Sequence, residues 1–162
     1  MIKAPVWRPT ARILIADPDG RVLLFSAGDD ERWWMTPGGG MHRGETVTMA
    51  AVRELREETG FASTEDELGP VIATSMSLWR SDSGRIFLGA HSFFFLHVPC
   101  ATLNTDGQEE FERGLITGHR WWSVKDLRDA TERISPLGLA DLMERLLAGD
   151  IPRSPVRLPR RP

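Results

Sequence analysis

The chain has 162 residues, 41% of them hydrophobic and 27% charged, with a net charge of −3, which fits one ordinary folded domain and excludes a fibrous or disordered class. The last twelve residues, IPRSPVRLPRRP, hold four arginines and no acid, so taking their four charges from −3 leaves −7 on residues 1–150. An acidic body disfavours a nucleic-acid polymer as partner, because phosphate contacts supply most of that affinity.

No run approaches the roughly 20 apolar residues of a membrane span, and MIKAPVWRPT lacks the apolar stretch of a signal peptide. A cytoplasmic protein without a membrane partner is expected. Cys100 is the single cysteine, which excludes an internal disulfide and suits a reducing compartment. Its apolar neighbours predict a buried, inert thiol.

Taken in chain order, Ala11–Ala16 and Arg21–Ala27 read as two strands joined by the turn Asp17-Pro18-Asp19-Gly20, hence a hairpin. After a polar loop over 28–32, Trp33–Thr36 reads as a short strand halted by Pro37 and followed by the loop Gly38-Gly39-Gly40. Val47, Ala50, Ala51 and Leu55 then recur near a 3.6-residue period, predicting a helix over Glu45–Thr59 with Gly60 at its stop. Its apolar stripe should dock while its carboxylates face outward.

Pro70–Trp79 and Ile86–Val98 predict a second hairpin around Ser81–Gly84, and His119–Trp122 a short strand. Ser123 caps a helix to Asp129, and Pro136–Ala148 reads as an amphipathic helix. Residues 151–162 form a basic tail of alternating Pro and Arg that cannot build a packed element. The expected organisation is therefore one domain over 1–150 plus this tail, which in a homodimer would wrap the acidic surface of a second copy.

Chemistry concentrates in GGMHRGETVTMAAVRELREETGF, residues 39–61. Glu54, Glu57 and Glu58 lie three and four apart, on one helical face, where like charges repel and a hard divalent cation such as Mg²⁺ suits oxygen ligands. Glycines at 38–40 let backbone approach closely, adding a carbonyl to a metal or an amide to a phosphate. Arg53 stands four residues before Glu57, spaced for a paired guanidinium–carboxylate contact. Glu45, near the helix start, is read as complementing the helix dipole.

The segment matches G-x5-E-x7-R-E-U-x-E-E-x-G-U, with U a bulky apolar residue, at Gly39, Glu45, Arg53, Glu54, Leu55, Glu57, Glu58, Gly60 and Phe61. With background frequencies of about 7% at each fixed position, a chance match in such a chain is on the order of one in 10⁶. The chain thus resembles the Nudix (MutT-like) hydrolases. The resemblance implies an α/β/α sandwich around a mixed, largely antiparallel sheet. It also implies Mg²⁺-dependent (Mn²⁺ as substitute) cleavage of a phosphoanhydride in a nucleoside diphosphate linked to another moiety.

By the same resemblance, Glu54, Glu57 and Glu58 are metal ligands or base, Gly39 offers its carbonyl to the metal, and Arg53 orients the carboxylates. The family also implies a further glutamate from outside the segment, for which Glu112 is chosen over Glu109 and Glu110. Trp33 or Trp34 is a candidate to stack on a nucleobase, and His42 to contact phosphate. Arg12, Arg32 and Arg80 are within the set that could reach phosphates, while His91, His97 and His119 carry no signal. The expected substrate is a small nucleotide, first a nucleoside triphosphate, oxidised ones included. Nucleotide sugars or dinucleotides, or a non-catalytic nucleotide-sensing module, are the alternatives.

Overall fold

In the computed structural model, which describes residues 4–28, 33–108 and 116–160, strand β1 (Val6–Ala16) sends alternate side chains into two cores. Ile13 and Ile15 belong to one core, Leu14 and Ala16 to the other, as the two-residue period of a strand requires. The chain continues through β2 (Val22–Ala27), β3 (Trp33–Met35), β4 (Gly38–Gly40), α1 (Val47–Thr59) and α2 (Glu65–Leu68). It then forms β5 (Ala73–Arg80), β6 (Ile86–His97), β7 (Ile116–Trp122), α3 (Val124–Asp129), β8 (Arg133–Ser135), α4 (Leu139–Leu147) and β9 (Val156–Arg157).

The sheet runs β8-β3-β2-β1-β6-β5-β9, with β4 paired to β1 and β7 to β2. β1–β6, β3–β8 and β5–β9 are parallel and the other pairings antiparallel. Helix α1 covers one face through Ala50, Ala51 and Leu55, packed with Ile13, Phe25 and Phe94. Helix α4 covers the other through Leu139, Leu142, Met143 and Leu146, packed with Leu14, Phe93 and Trp122. This is the expected α/β/α sandwich. Each large side chain so buried contributes about 1.5–3 kcal/mol, and a Gly60 cap at φ 78° ends α1 where expected.

The first hairpin is a hairpin only at its base. Ala16 pairs with Val22 alone; beyond it β1 runs parallel to β6 over eleven residues and β2 pairs with β7. Both strands are buried on both faces, and such strands satisfy their backbone with whichever partner extends the core. The second hairpin forms as expected, Ala73–Arg80 against Ile86–Phe93.

Two further expectations are corrected. Cys100 is exposed, because the chain leaves the sheet after Val98, the last buried residue there. The tail does pack: β9 adds to β5, Leu158 N–H donates to the Thr74 carbonyl at 2.8 Å, and the Leu158 side chain joins the α4 core at 5% exposure. The two apolar residues Val156 and Leu158 outweigh the prolines around them. Among the described residues, no helix is long and apolar enough to cross a membrane.

Candidate functional site

The three glycines form strand β4 rather than a loop, pairing Gly38, Gly39 and Gly40 with Arg12, Ala11 and Thr10. The first admits only glycine, and at the second a side chain would displace the Glu54 carboxylate. Gly38 has φ +133°, and a Cβ there would lie 2.0 Å from the Ala11 carbonyl oxygen; one on Gly39 would lie 2.4 Å from Glu54 Oε1. The bare backbone therefore lets helix α1 press its carboxylates against the strand.

Those carboxylates divide. Glu54 and Glu58 share the helix face of Ala50, Ala51 and Leu55 and are 3% and 4% exposed, so the expectation that all face outward is wrong for these two. Positions 51, 54, 55 and 58 follow the i, i+3, i+4 stripe, and the stripe is polar where it meets glycine backbone. Glu58 Oε2 accepts the Gly38 N–H at 2.6 Å. Glu57 points elsewhere, with a side chain 29% exposed.

Arg53 links the pieces. Its Nε donates to Glu45 Oε1 at 2.7 Å and its Nη2 to Glu45 Oε2 at 3.0 Å, while Nη1 reaches Glu54 Oε1 at 2.8 Å and Glu57 Oε2 at 3.2 Å. Nη2 also donates to the Gly40 carbonyl at 3.0 Å. The paired contact falls on Glu45, not on Glu57 as the i, i+4 spacing suggests. Glu45 precedes the Thr46 cap, so it serves Arg53 rather than the helix dipole. The Arg53 bond holds its carboxyl down to about 2, with help from the His42 backbone N–H. The same bond, followed by those to Glu54, raises the Arg53 guanidinium further above its ordinary value.

Glu57 and Arg53 border a groove of about 790 Å³ along the outer side of α1, opposite Asn104, Asp106 and Gly107. His42 is exposed at the edge of this region, its Nδ1 3.9 Å from Glu45 Oε1. The tryptophans separate by strand alternation. Trp34, partly buried, packs edge-on against Trp122 with centroids 5.3 Å apart, on the α4 side of the sheet. Trp33 is 38% exposed with Arg133 over its ring at 5.0 Å. Glu109, Glu110, Glu112 and Arg32 lie outside the described residues.

Two groups that the sequence reading passed over or misplaced stand behind β4. Arg12, grouped with phosphate-reaching arginines, instead donates from Nη1 to the carbonyls of Thr36 and Gly38, both at 3.1 Å. His91 bonds Thr10 Oγ1 through Nδ1 at 2.6 Å and Ser77 Oγ through Nε2 at 2.7 Å, and burial lowers its pKa to about 4. Nothing in the local sequence marks either, because both contacts join distant segments.

The residues fit a divalent cation by donor chemistry: two buried carboxylates and one accessible carboxylate, all oxygen donors, against backbone that admits no side chain. In the arrangement described, Arg53 stands among them, and no three acidic or other ligating side chains among the described residues close on a single point.

The NUDIX domain family model matches residues 6–142. The chain belongs to the NUDIX family. An RNA pyrophosphohydrolase of Sphingopyxis alaskensis is 44% identical over 55 residues, covering 33% of this NUDIX chain and 35% of that protein. One from Novosphingobium aromaticivorans is 39% identical over 71 residues, covering 43% and 42%; the chain thus spans less than half the length of these curated relatives. The crystal structure of a MutT protein from Methanosarcina mazei Go1 superposes with a TM-score of 0.64 at 18% identity over 92% of this chain and 99% of that one, a likeness of fold.

Proposed function

We propose that this NUDIX protein hydrolyses a phosphoanhydride bond in a nucleoside diphosphate linked to another moiety, with a nucleoside triphosphate as first candidate and Mg²⁺ as metal, Mn²⁺ substituting. The observation that carries this reading is the seating of Glu54 and Glu58 against the glycine strand while Arg53 gathers Glu45, Glu54 and Glu57. Glu54, Glu57, Glu58 and the Gly39 carbonyl would hold the metal. A bound Mg²⁺ would offset charge developing on the phosphates and acidify the attacking water.

The chain's own residues do the positioning. The Gly38 N–H fixes one oxygen of Glu58, so its other oxygen has a defined direction. Arg53 restrains the mutually repelling carboxylates at one end each and leaves the exposed side of Glu57 toward the groove. Glu57 in the groove, or Glu112 from outside the described residues, is the proposed base. Exposed Trp33 and His42 are proposed contacts for base and phosphate, with the partly buried Trp34 as the alternative stacking ring.

The names of the curated relatives favour a second reading, an RNA carrying a 5′ polyphosphate. Against it stands the charge of −7 on residues 1–150. The test is phosphate and pyrophosphate release from nucleoside triphosphates, oxidised triphosphates, nucleotide sugars, dinucleotides and 5′-triphosphorylated RNA, with Mg²⁺ and with chelator. Metal-dependent turnover of a small nucleotide supports the first reading, and turnover confined to RNA the second. Nucleotide binding without any turnover would replace both with a sensing module.

A further inference from the structure

The two ends of the glycine strand are held by different arginines. Arg53 takes the Gly40 carbonyl from the helix side. Arg12, which follows Ala11 and precedes Ile13 in β1 and so leaves the sheet on the face opposite α1, takes the carbonyls of Thr36 and Gly38. Between these two, the Pro37 carbonyl accepts the Ile13 N–H at 3.0 Å. Three successive carbonyls are thus bound by two successive residues of β1.

A peptide unit is planar, so fixing its carbonyl fixes its N–H on the opposite side. The unit between Pro37 and Gly38 carries the N–H that holds Glu58; the units on either side of it carry the carbonyls bound by Arg12. At Gly38, with φ +133° and no Cβ, backbone rotation is cheaper than at any other residue type. Without the guanidinium, only the Ile13–Pro37 bond would hold the central unit, and rotation of its neighbours could swing the Gly38 N–H about that single bond. Lysine could not replace it fully, since both bonds leave one Nη1 held in a rigid planar guanidinium, whereas an ammonium on a flexible stem has no such fixed direction.

We propose that Arg12 is a positioning residue for the acidic site: by fixing the peptide units on both sides of the Gly38 amide, it sets the direction of the Glu58 carboxylate. The inference rests on the metal-dependent reading above. It assigns Arg12 no contact with substrate, in contrast to the phosphate role its charge suggests.

The test uses the full chain with Mn²⁺ as probe, bound Mn²⁺ being read by loss of the free-ion electron paramagnetic resonance signal. Arg12→Met should weaken Mn²⁺ binding about tenfold, the size seen when partners that orient a metal ligand are lost. In Arg12→Lys the loss should be smaller. In a Glu58→Gln background, Arg12→Met should change Mn²⁺ affinity by no more than about twofold, because both act through one contact. Without metal, the Gly38 amide proton resonance should move upfield in Arg12→Met as its carboxylate bond lengthens. With a substrate from the panel, kcat should fall and KM hold.

Unchanged Mn²⁺ affinity in Arg12→Met, or an unmoved Gly38 resonance, overturns the proposal, as does additivity with Glu58→Gln. A raised KM at constant kcat would replace positioning by phosphate binding. If Arg12→Met does not fold, Arg12→Lys is read alone, and wild-type affinity there overturns the proposal. A wild-type protein that binds no Mn²⁺ defeats the metal-dependent reading itself, which separates that failure from failure of the role of Arg12.

Discussion

The amide of Gly38 and the carboxylate of Glu58, twenty residues apart, form a buried 2.6 Å hydrogen bond across the junction of β4 and α1. It exists because residue 38 has no side chain: a Cβ would fall 2.0 Å from the Ala11 carbonyl oxygen at a φ of +133°. Gly38→Ala should therefore shift β4 away from β1 and cost about 1–3 kcal/mol of backbone strain. Differential scanning fluorimetry is expected to give a lower Tm, and the substrate panel a turnover at least about a hundredfold lower. Wild-type turnover in this variant would show that the Gly38–Glu58 contact is dispensable.

Glu45 gives a pH dependence. Its folded pKa of about 2 lies below the ordinary 4.5, chiefly through the bond from Arg53. A depressed carboxyl stabilises the folded state above its unfolded pKa, and that contribution is lost as pH falls from about 4.5 toward 2. Glu45→Gln should unfold at lower urea than wild type at neutral pH, with the gap between the two narrowing through that window. A gap that stays constant from pH 7 to the acid limit would mean that the charge of Glu45 is not what Arg53 uses.

The layer architecture was legible through the family resemblance, and the structure gives it its physical basis: neighbours such as Ile13 and Leu14, or Phe93 and Phe94, fall into opposite cores. The site residues were legible as a spaced set because Arg53 to Glu58 share one helix. What the spacing could not give was partners. Arg53 to Glu57 satisfies the i, i+4 rule, yet the stronger pairing goes to Glu45, which reaches the guanidinium only because the turn before α1 folds back. Three glycines looked like a loop because their strand character comes from β1, a segment read separately. Arg12, His91 and Leu158 were invisible as contacts for the same cause: each meets a residue more than twenty positions away.

The tail makes a separable prediction. Leu158 is 5% exposed among α4-side core residues, and β9 occupies the free edge of β5. Leu158→Ala should cost about 2 kcal/mol, a Tm fall of roughly 4–8 °C for a domain of this size. Deleting residues 156–162 should destabilise at least as much and leave the mass by light scattering unchanged. A mass halved by the deletion would instead make the tail the arm that joins two copies.

Glu57 is the carboxylate on which the hydrolase reading is most exposed. Unlike Glu54 and Glu58 it is not part of the buried face: it borders the groove and holds Arg53 through one bond of 3.2 Å. The docking of α1 rests on Ala50, Ala51 and Leu55, so the isosteric Glu57→Gln should leave Tm nearly unchanged. Turnover should nonetheless fall at least about a hundredfold, as expected for loss of a metal ligand or base. The two readouts must part in this way. Full turnover with unchanged Tm removes Glu57 from the chemistry and leaves Glu112 as the proposed base, whereas a Tm collapse would assign Glu57 to the restraint of Arg53.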